Sequence, residues 1–252
     1  MLIRIITWNV CGWRSILRKG FVQQMLRFSP DIMCLQEIRT QKIELPLQLA
    51  LLDYNIFANY STKRGFHGTA IITRLKPLSI VKSLGHERFD SEGRFIRLDF
   101  QYFTLINVYM PHGGRDKRDL KYKLEVYDIL LRYLRNFRRN TIIAGDFNIA
   151  HKPVDLARPE ANRNNIMFTS NERKMLDRLV MLGFVDTFKL FNKHGGNYTW
   201  WPRAHNARKR NVGWRIDYIF VSENLRDHVK RALILPEIMG SDHCPVLIDV
   251  EI

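Results

Sequence analysis

Short apolar runs, punctuated by Gly, Asp, Asn and Pro, recur along the whole chain and predict β-strands. They are rich in Val, Ile and Phe, and several alternate apolar with polar residues. The predicted strands are Leu2–Thr7, Ile32–Leu35, Thr69–Thr73, Phe95–Phe100, Phe103–Tyr109, Thr141–Ala144, Ile216–Val221 and Pro245–Val250. Only Gln101 and Tyr102 separate the fourth run from the fifth, which predicts a β-hairpin.

Between these runs the apolar residues follow helical spacing. In Lys117–Leu134 they form a single stripe, with charged residues elsewhere, as expected for an amphipathic helix. A second helix is predicted over Ser170–Leu182, with Ser170 as its N-cap and Gly183 as its C-cap. Weaker helical patterns lie in Asn9–Phe28 and Ile43–Leu52.

The order of these elements predicts the fold class. Strands and helices alternate, yet a hairpin is present, so an α/β (α+β) fold is favoured over a purely parallel sheet. No repeat, low-complexity tract or linker interrupts the pattern, and we expect one domain over residues 1–252. The stretches 148–165 and 192–212 are predicted to be long polar loops, which in compact domains are usually functional or disordered.

Composition narrows the choice of partner. Forty Lys and Arg residues against 25 Asp and Glu residues give a formal net charge of +15. Such an excess indicates nucleic acid or an anionic membrane surface as partner, although a generic basic surface stays an alternative. No apolar stretch reaches the ~20 residues of a membrane span. Three cysteines without metal-finger spacing indicate reduced thiols, and with no leader in front of the first strand we expect an intracellular protein.

Two polar pairs in the second half of the chain are candidates for chemistry. Asp146 and Asn148 follow a buried strand, where extended backbone places them on one side and where they can position water, phosphate or a hard cation. Asp242 and His243 put an acid beside an imidazole that titrates near neutrality. Taken alone, the first pair is equally typical of a polar turn, and the second is more often part of a structural polar loop.

Three further polar residues come directly after or within predicted strands. Asp217 lies in an alternating segment with Trp214 and Ile216, where it can orient His243, or it can form surface charge pairs with Arg215. Asn9 and Glu37 follow apolar strands near the N-terminus. Considered singly, such an Asn is more often a turn residue and such a Glu more often exposed.

Six short motifs occur along the chain in the same order as in a known protein family. They are Trp-Asn-Val-x-Gly, Leu-Gln-Glu, Asn-Val-Tyr-x-Pro, Gly-Asp-Phe-Asn, Gly-Trp-Arg-Ile-Asp-Tyr and Gly-Ser-Asp-His-Cys-Pro. From Ile5 to Val250 the chain resembles the exonuclease III family of apurinic/apyrimidinic (AP) endonucleases, within the endonuclease/exonuclease/phosphatase superfamily. The resemblance implies a four-layer sandwich of two mixed β-sheets flanked by helices.

The resemblance also implies an activity and a set of site residues. The activity is Mg²⁺-dependent hydrolysis 5′ of abasic sites in double-stranded DNA, leaving a 3′-OH, with Mn²⁺ as a substitute and with 3′–5′ exonuclease and 3′-phosphodiesterase side activities. Implied catalytic residues are Tyr109, Asp146, Asn148, Asp217 and His243. Implied metal-site residues are Asn9, Glu37, Asp146, Asn148, Asp242 and His243. Implied DNA contacts are Arg115, Asn162, Asn165, Trp200, Arg208, Arg210, Trp214 and Ile216, and we expect Arg203, Lys209 and Arg215 to hold flanking phosphates.

Departures from the family pattern leave alternatives open. Cys11 stands where an acid or amide is usual, His112 replaces a small polar residue, and Ala204 lacks a bulky apolar side chain found in some relatives. The alternatives are a DNA uridine endonuclease of the same family, a phosphoinositide phosphatase or sphingomyelinase, and a non-catalytic DNA-binding protein. We expect an intracellular monomer without membrane association, located in the cytoplasm or on the nucleoid if the source is a prokaryote.

Overall fold

Two β-sheets form the centre of the fold. The computed structural model describes residues 1–252. Its strands are β1 Leu2–Asn9, β2 Ile32–Gln36, β3 Asn55–Asn59, β4 Thr69–Thr73, β5 Ser79–Val81, β6 Phe95–Asp99, β7 Thr104–Tyr109, β8 Thr141–Asp146, β9 Phe184–Asp186, β10 Asp217–Ser222, β11 Val229–Ile234 and β12 Val246–Glu251. The six-stranded sheets have the orders β11-β12-β1-β2-β4-β3 and β5-β6-β7-β8-β10-β9. Only β1–β2 and β7–β8 are parallel, so both sheets are mixed.

Helices cover the outer faces of both sheets. They are α1 Trp13–Arg18, α2 Phe21–Leu26, α3 Leu47–Ala50, α4 Glu87–Ser91, α5 Leu120–Leu134, α6 Ser170–Met181 and α7 Thr187–Phe191, with 3₁₀ turns at Pro153–Asp155, Glu160–Asn162 and Glu223–His228. None of these helices combines the length and apolar character needed to cross a membrane.

The core has three apolar layers, as alternation along the strands requires. Ile5 of β1 belongs to the layer between the sheets, whereas its neighbour Ile6 packs with the residues of α1 and α2. A third layer lies between the second sheet and α5 and α6, and includes Phe147 and Tyr218. The predicted four-layer sandwich is therefore confirmed, with both faces of each sheet buried.

All eight predicted strands are present, with ends that differ by at most two residues. The predicted hairpin is confirmed, because Leu98 of β6 is opposite Leu105 of β7 in an antiparallel pair. The four strands that the pattern missed, β3, β5, β9 and β11, are the outer strands of the two sheets. Outer strands are shorter and more polar than central ones, and so give a weaker hydrophobic signal.

The helix predictions are confirmed, with corrections at two caps of α6. Its C-cap is Leu182, and the predicted Gly183 comes one residue later with a φ of 92°. The N-cap of α6 is Thr169, not Ser170: its hydroxyl accepts from the Glu172 N–H at 3.3 Å, and the Glu172 carboxylate accepts from the Thr169 N–H at 3.0 Å. This reciprocal pair is a capping box. The weaker segments contain α1, α2 and α3, whereas α4 and α7 were not predicted.

One edge of the sandwich gathers the polar strand ends. The parallel pairs β1–β2 and β7–β8 end at this edge, and β10 begins there in the opposite direction. The register places Tyr109, Asp146 and Asp217 side by side on three adjacent strands. Gly145 allows this close pairing, because a Cβ at that position would lie 1.9 Å from the Val108 carbonyl oxygen.

Candidate active site

A cavity of about 310 Å³ opens at this edge between the two sheets. Its lining residues are Asn9, Cys11, Glu37, Arg39, Tyr109, His112, Asp146, Asn148, Met167, Trp200, Arg203, Ile216, Asp242 and His243. The structure thus brings together most of the residues predicted from six separate motifs. Arg39 and Met167 also line the cavity and were not predicted, because neither carries a motif signal of its own.

An imidazole between two carboxylates forms the floor of the cavity. Nδ1 of His243 is 2.9 Å from an Asp217 oxygen, and Nε2 is 4.0 Å from Asp146. All three residues are buried, and one ligand atom of each lies within 4.8 Å of the others. Burial lowers the pKa of His243, but the charge and hydrogen bond of Asp217 outweigh it and raise the pKa to about 10. The imidazole is therefore protonated at neutral pH.

The Asp146 carboxylate has the opposite electrostatic balance. Its burial and the nearby Asp217 charge raise the pKa of Asp146 to about 7, against the opposing effects of His243 and of hydrogen bonds. The Asn9 side-chain amide donates to Asp146 at 3.0 Å and to Glu37 at 3.0 Å, so one residue spaces the two carboxylates. The Asn9 oxygen accepts from the Cys11 N–H at 3.1 Å.

Asp146 and Asn148 form a polar turn and also line the cavity, so the two interpretations of their motif both apply. The chain turns at Asn148, where φ is 51°, and the Asn148 N–H donates to Asp146 at 2.9 Å. Its side-chain amide donates to the Met110 carbonyl at 2.9 Å. They line one cavity because of this turn, and not because extended backbone places alternate residues on one face.

Two residues outside the predicted set hold the catalytic candidates in place. The Thr199 hydroxyl accepts from the N–H groups of Ile216 and Asp217 at 3.0 and 3.1 Å. The Trp8 indole N–H donates to the His243 carbonyl at 3.1 Å. Both contacts join residues far apart in sequence, so no local pattern could have predicted them.

Tyr109 is fixed from both its ring and its backbone. The Arg94 guanidinium lies 4.3 Å from the centre of its ring and donates to its carbonyl oxygen at 3.1 Å. Burial first, and the Glu37 carboxylate second, raise the pKa of Tyr109 well above 10. The phenol therefore remains protonated and is a hydrogen-bond donor toward the cavity.

A fully buried ion pair supports the cavity from behind. Nζ of Lys123 donates to Glu172 at 2.6 Å, to the Asn148 carbonyl at 2.7 Å and to the His112 carbonyl at 3.1 Å. Glu172 also accepts from the Met167 N–H at 2.9 Å. The pair thereby ties together three segments of the cavity wall through their main chains.

Acidic and basic groups alternate at the mouth of the cavity. Glu37 is hydrogen-bonded to the Arg39 guanidinium. The Arg203 guanidinium lies 2.9 Å from the Cys11 sulfur and 3.4 Å from Asp242. Burial raises the pKa of Asp242, but the positive charges of His243 and Arg203 outweigh it, so the carboxyl pKa is lowered overall.

One wall of the cavity is apolar. It consists of Met167, Trp200 and Ile216. Met167 has a φ of 71°, which is uncommon for a residue with a side chain and marks backbone strain at a functional site. Trp214, predicted to share this wall, lies behind Trp200 and packs edge-on against Phe168 with the ring centres 6.3 Å apart.

The guanidinium groups of two predicted phosphate contacts, the buried Arg215 and the half-buried Arg208, are hydrogen-bonded to other groups of the protein. Arg215 is buried, donating to Asp155 at 2.9 Å and to Asp186 at 2.7 Å, so the predictions of a surface charge and of a phosphate contact are wrong for it. Arg208 donates to the carbonyls of three residues and stacks on the Trp201 ring at 4.7 Å. These contacts make it a tether for the loop before His243.

The remaining predicted DNA contacts lie outside the cavity. Arg115 and Arg210 are exposed. The Asn165 amide donates to the Asn162 side chain at 2.8 Å in the polar loop that follows β8.

His112 does line the cavity, but burial and the Lys123 charge lower its pKa to about 4, which leaves it neutral.

Comparison with known proteins gives one consistent result. Residues 6–243 match the model of the endonuclease/exonuclease/phosphatase family. The chain is 39% identical to an exodeoxyribonuclease of Bacillus subtilis over 99% of its own length and 100% of that protein. It is 35% identical to a DNA-(apurinic or apyrimidinic site) endonuclease of Dictyostelium discoideum, with 99% and 71% covered.

Solved structures agree with the sequence matches. An AP endonuclease from Archaeoglobus fulgidus superimposes with a TM-score of 0.90 at 26% identity, covering 99% of this chain and 100% of that one. A 3′ phosphatase from Neisseria, bound to a product DNA hairpin, gives the same score at 28% identity with the same coverage.

Proposed function

The chain belongs to the endonuclease/exonuclease/phosphatase family, and on that premise we propose that it is a metal-dependent AP endonuclease. It hydrolyses the phosphodiester bond on the 5′ side of an abasic site in double-stranded DNA. The observation that carries this proposal is the buried Asp217–His243–Asp146 line at the floor of a cavity with an apolar wall. A non-catalytic DNA-binding protein has no need of such a line.

The donor groups fit a hard divalent cation, which we propose to be Mg²⁺ or Mn²⁺. Glu37 and Asp242 line the cavity and offer carboxylate oxygens, which Mg²⁺ prefers. Nδ1 of His243 is engaged by Asp217 and its Nε2 lies toward Asp146, so we propose His243 for the phosphate and not for the metal. We therefore assign the metal to Glu37 and Asp242, with Asn9 as the spacer between Glu37 and Asp146. A cation bound there reduces the charge on the phosphate and eases the deprotonation of water.

The chain's own residues account for the proton movements. Asp146, with its pKa near 7, accepts the proton of the attacking water as a new P–O bond forms. The protonated His243 donates from Nε2 to a non-bridging phosphate oxygen, where negative charge accumulates. The Tyr109 hydroxyl donates a hydrogen bond to the same phosphate. The Asn148 N–H donates to the Asp146 carboxylate and so fixes its position. The P–O3′ bond breaks, and the departing oxygen takes a proton from solvent water to become the 3′-OH, while Asp146 releases its proton to solvent.

Substrate selection follows from the apolar wall. We propose that Met167, Trp200 and Ile216 accept the base-free deoxyribose, whose extrusion from the helix costs less than that of an intact nucleotide. The net charge of +15 and the exposed Arg115 and Arg210 supply the phosphate contacts that hold flanking DNA.

A second activity, 3′-end processing, is supported by the named relatives. One is an exodeoxyribonuclease and a structural neighbour is a 3′ phosphatase. The same residues can attack a phosphate at a 3′ end, so we propose 3′–5′ exonuclease and 3′-phosphodiesterase action as side activities of this site.

Incubation with a duplex that contains one tetrahydrofuran abasic analogue tests the proposal. We expect a nick 5′ of the analogue with Mg²⁺, no nick with EDTA, and a 3′-OH on the upstream fragment. Parallel reactions use duplexes that carry an undamaged nucleotide, a deoxyuridine or a 3′-phosphate. They measure non-specific cleavage, uridine endonuclease activity and 3′-end processing, respectively. An intact tetrahydrofuran duplex after incubation in Mg²⁺ contradicts the proposal.

A further inference from the structure

Two arginines lie at the mouth of the cavity, where neighbouring grooves of the surface join it. Arg39 lines the catalytic cavity and two larger grooves beside it, of about 980 and 660 Å³. Arg203 lines the cavity and the larger groove. Lys19 and Lys209 line the larger groove as well, and Arg14 and Arg18 the smaller one, so both grooves are cationic. A polyanion lying along them passes over Arg39 and Arg203.

Both guanidinium groups are occupied by the carboxylates assigned above to the metal. Arg39 pairs with Glu37, and Arg203 pairs with Asp242 at 3.4 Å. The carboxylate side chains are 15% and 21% exposed, whereas those of Arg39 and Arg203 are 43% and 70% exposed. The anions are therefore the fixed partners, and the arginines are the ones free to move.

The backbone makes the mouth rigid. Cys11, Glu37 and Arg39 have φ values of 49°, 57° and 51°, a backbone conformation that residues with a side chain rarely adopt. Main-chain bonds join their loops, from Gly12 to the Glu37 carbonyl at 2.8 Å and from Arg39 to the His67 carbonyl at 2.8 Å. Strain held in this way is typical of sites where groups must be positioned in advance.

Cys11 weakens the hold on Arg203. The Cys11 sulfur lies 2.9 Å from the Arg203 guanidinium, and sulfur is a weak hydrogen-bond acceptor. Arg203 is therefore retained by one carboxylate and one weak sulfur acceptor. Exposed ion pairs of this kind contribute little, and a divalent cation is the stronger partner for a carboxylate.

From this arrangement, and resting on the proposed metal site, we propose that Arg39 and Arg203 form a second phosphate site at the mouth of the cavity. In the absence of metal the site is closed by Glu37 and Asp242. When a divalent cation takes those carboxylates, both guanidinium groups turn to a backbone phosphate next to the scissile one, which suits their planar donors. Metal and nucleic acid then strengthen each other's binding by the same factor.

The competition is measured without DNA and without catalysis, by electron paramagnetic resonance of Mn²⁺ binding. Arg203→Gln removes the competing cation and is expected to tighten Mn²⁺ binding about fivefold, the lower end of usual coupling factors. Arg18→Gln is the control, since Arg18 lines the smaller groove and loses the same charge without leaving a carboxylate. Equal effects of the two substitutions overturn the proposal.

An Asp242→Asn background separates direct competition from a general charge effect. There the carboxylate partner of Arg203 is gone, so Arg203→Gln is expected to change Mn²⁺ binding no more than Arg18→Gln does. A full fivefold effect in this background contradicts the exchange.

The phosphate site itself is tested by fluorescence anisotropy with a tetrahydrofuran duplex protected by phosphorothioate linkages. Mn²⁺ is expected to tighten its binding to the wild type, and to do so much less for the Arg39→Gln/Arg203→Gln double variant. An equal gain in both proteins overturns the proposal. Neither experiment requires cleavage. If the protein fails to nick abasic DNA, the proposed function is contradicted, but both binding experiments can still be interpreted.

Discussion

At the scale of single residues, the state of His243 depends on one neighbour. Its buried ring would be neutral on its own, and Asp217 at 2.9 Å makes it a cation. The charged form is the one that can donate to a phosphate oxygen, so this contact links packing to the proposed chemistry.

Asp217→Asn is expected to lower the pKa of His243 by about two pH units in the metal-free protein, because burial is then no longer offset by that charge. An NMR titration of the histidine ring measures it. Asp242→Asn is the matched control and is expected to shift the pKa less, since Asp242 is the weakest of the three carboxylates that raise it. Equal shifts from both changes contradict the arrangement.

The same residue has a consequence for stability. The folded-state pKa of about 10 lies above the ordinary value near 6.5, so protonated His243 stabilises the fold. This contribution is fully present below about pH 6.5 and is lost as the pH rises through about 10. The metal-free wild type is therefore expected to lose more stability in urea between pH 7 and pH 10 than Asp217→Asn does.

Sequence predicted the residues of the site better than their contacts. Asn9, Glu37, Asp146 and His243 stand in motifs, and the structure brings all of them to one cavity. Arg215 was misassigned because its ion pairs are formed with Asp155 and Asp186, which no spacing along the chain indicates. Thr199 was missed for the same reason, because its contacts with Ile216 and Asp217 are long-range. Arg39 pairs with Glu37 only two residues away, and it was missed because it carries no motif signal of its own, as was Met167.

At the scale of elements, the helices show how local chemistry sets boundaries. Both Thr169 and Ser170 are ordinary N-cap residues, and the sequence favoured the second. The structure selects Thr169, because Glu172 reaches its N–H and also accepts from Lys123 and Met167. The choice of cap thus depends on the buried ion pair behind the cavity.

Thr169→Ala is expected to lower the free energy of unfolding by about 1 kcal/mol, because the first turn of α6 and the Glu172 carboxylate both lose a partner. Urea denaturation measures the loss. Ser170→Ala, one residue along on the exposed side, is the control and is expected to stay within about 0.5 kcal/mol of the wild type. If Ser170→Ala costs as much, the cap assignment is wrong.

Strand prediction succeeded where burial on both faces gave continuous apolar runs. Central strands such as β2 and β4 are buried at every position. The outer strands β5 and β11 have exposed residues along their length, so their pattern merges with that of the loops. The missed strands do not lack β-propensity. They were missed because the sequence pattern does not indicate which strands lie at the edges of the sheets.

At the scale of the whole molecule, charge and shape act together. The positive groups are spread over the chain, but the two cationic grooves meet at the one edge where the polar strand ends also gather. Composition predicted a polyanionic partner, whereas the direction from which it approaches the site is a property of the fold alone.

The affinity for duplex DNA is expected to fall linearly with salt on logarithmic axes, because each phosphate contact releases counterions. Arg210→Gln is expected to reduce the magnitude of that slope by about one. Arg139→Gln removes the same charge next to the start of β8, at the opposite end of that strand from Asp146, and is expected to leave the slope unchanged. Anisotropy titrations over a salt series measure both slopes, and equal changes contradict the proposed DNA-binding face.

The role of Asp146 as the base is tested by the single-turnover cleavage of a tetrahydrofuran duplex by Asp146→Asn, measured beside the affinity of this variant for the same duplex. Asparagine keeps the shape of the side chain but cannot take the proton of water. We predict that cleavage in Mg²⁺ falls by about 10²- to 10⁴-fold while the affinity stays within about threefold. Cleavage at the wild-type rate, or a loss of binding as large as the loss of cleavage, contradicts the claim that Asp146 activates the attacking water.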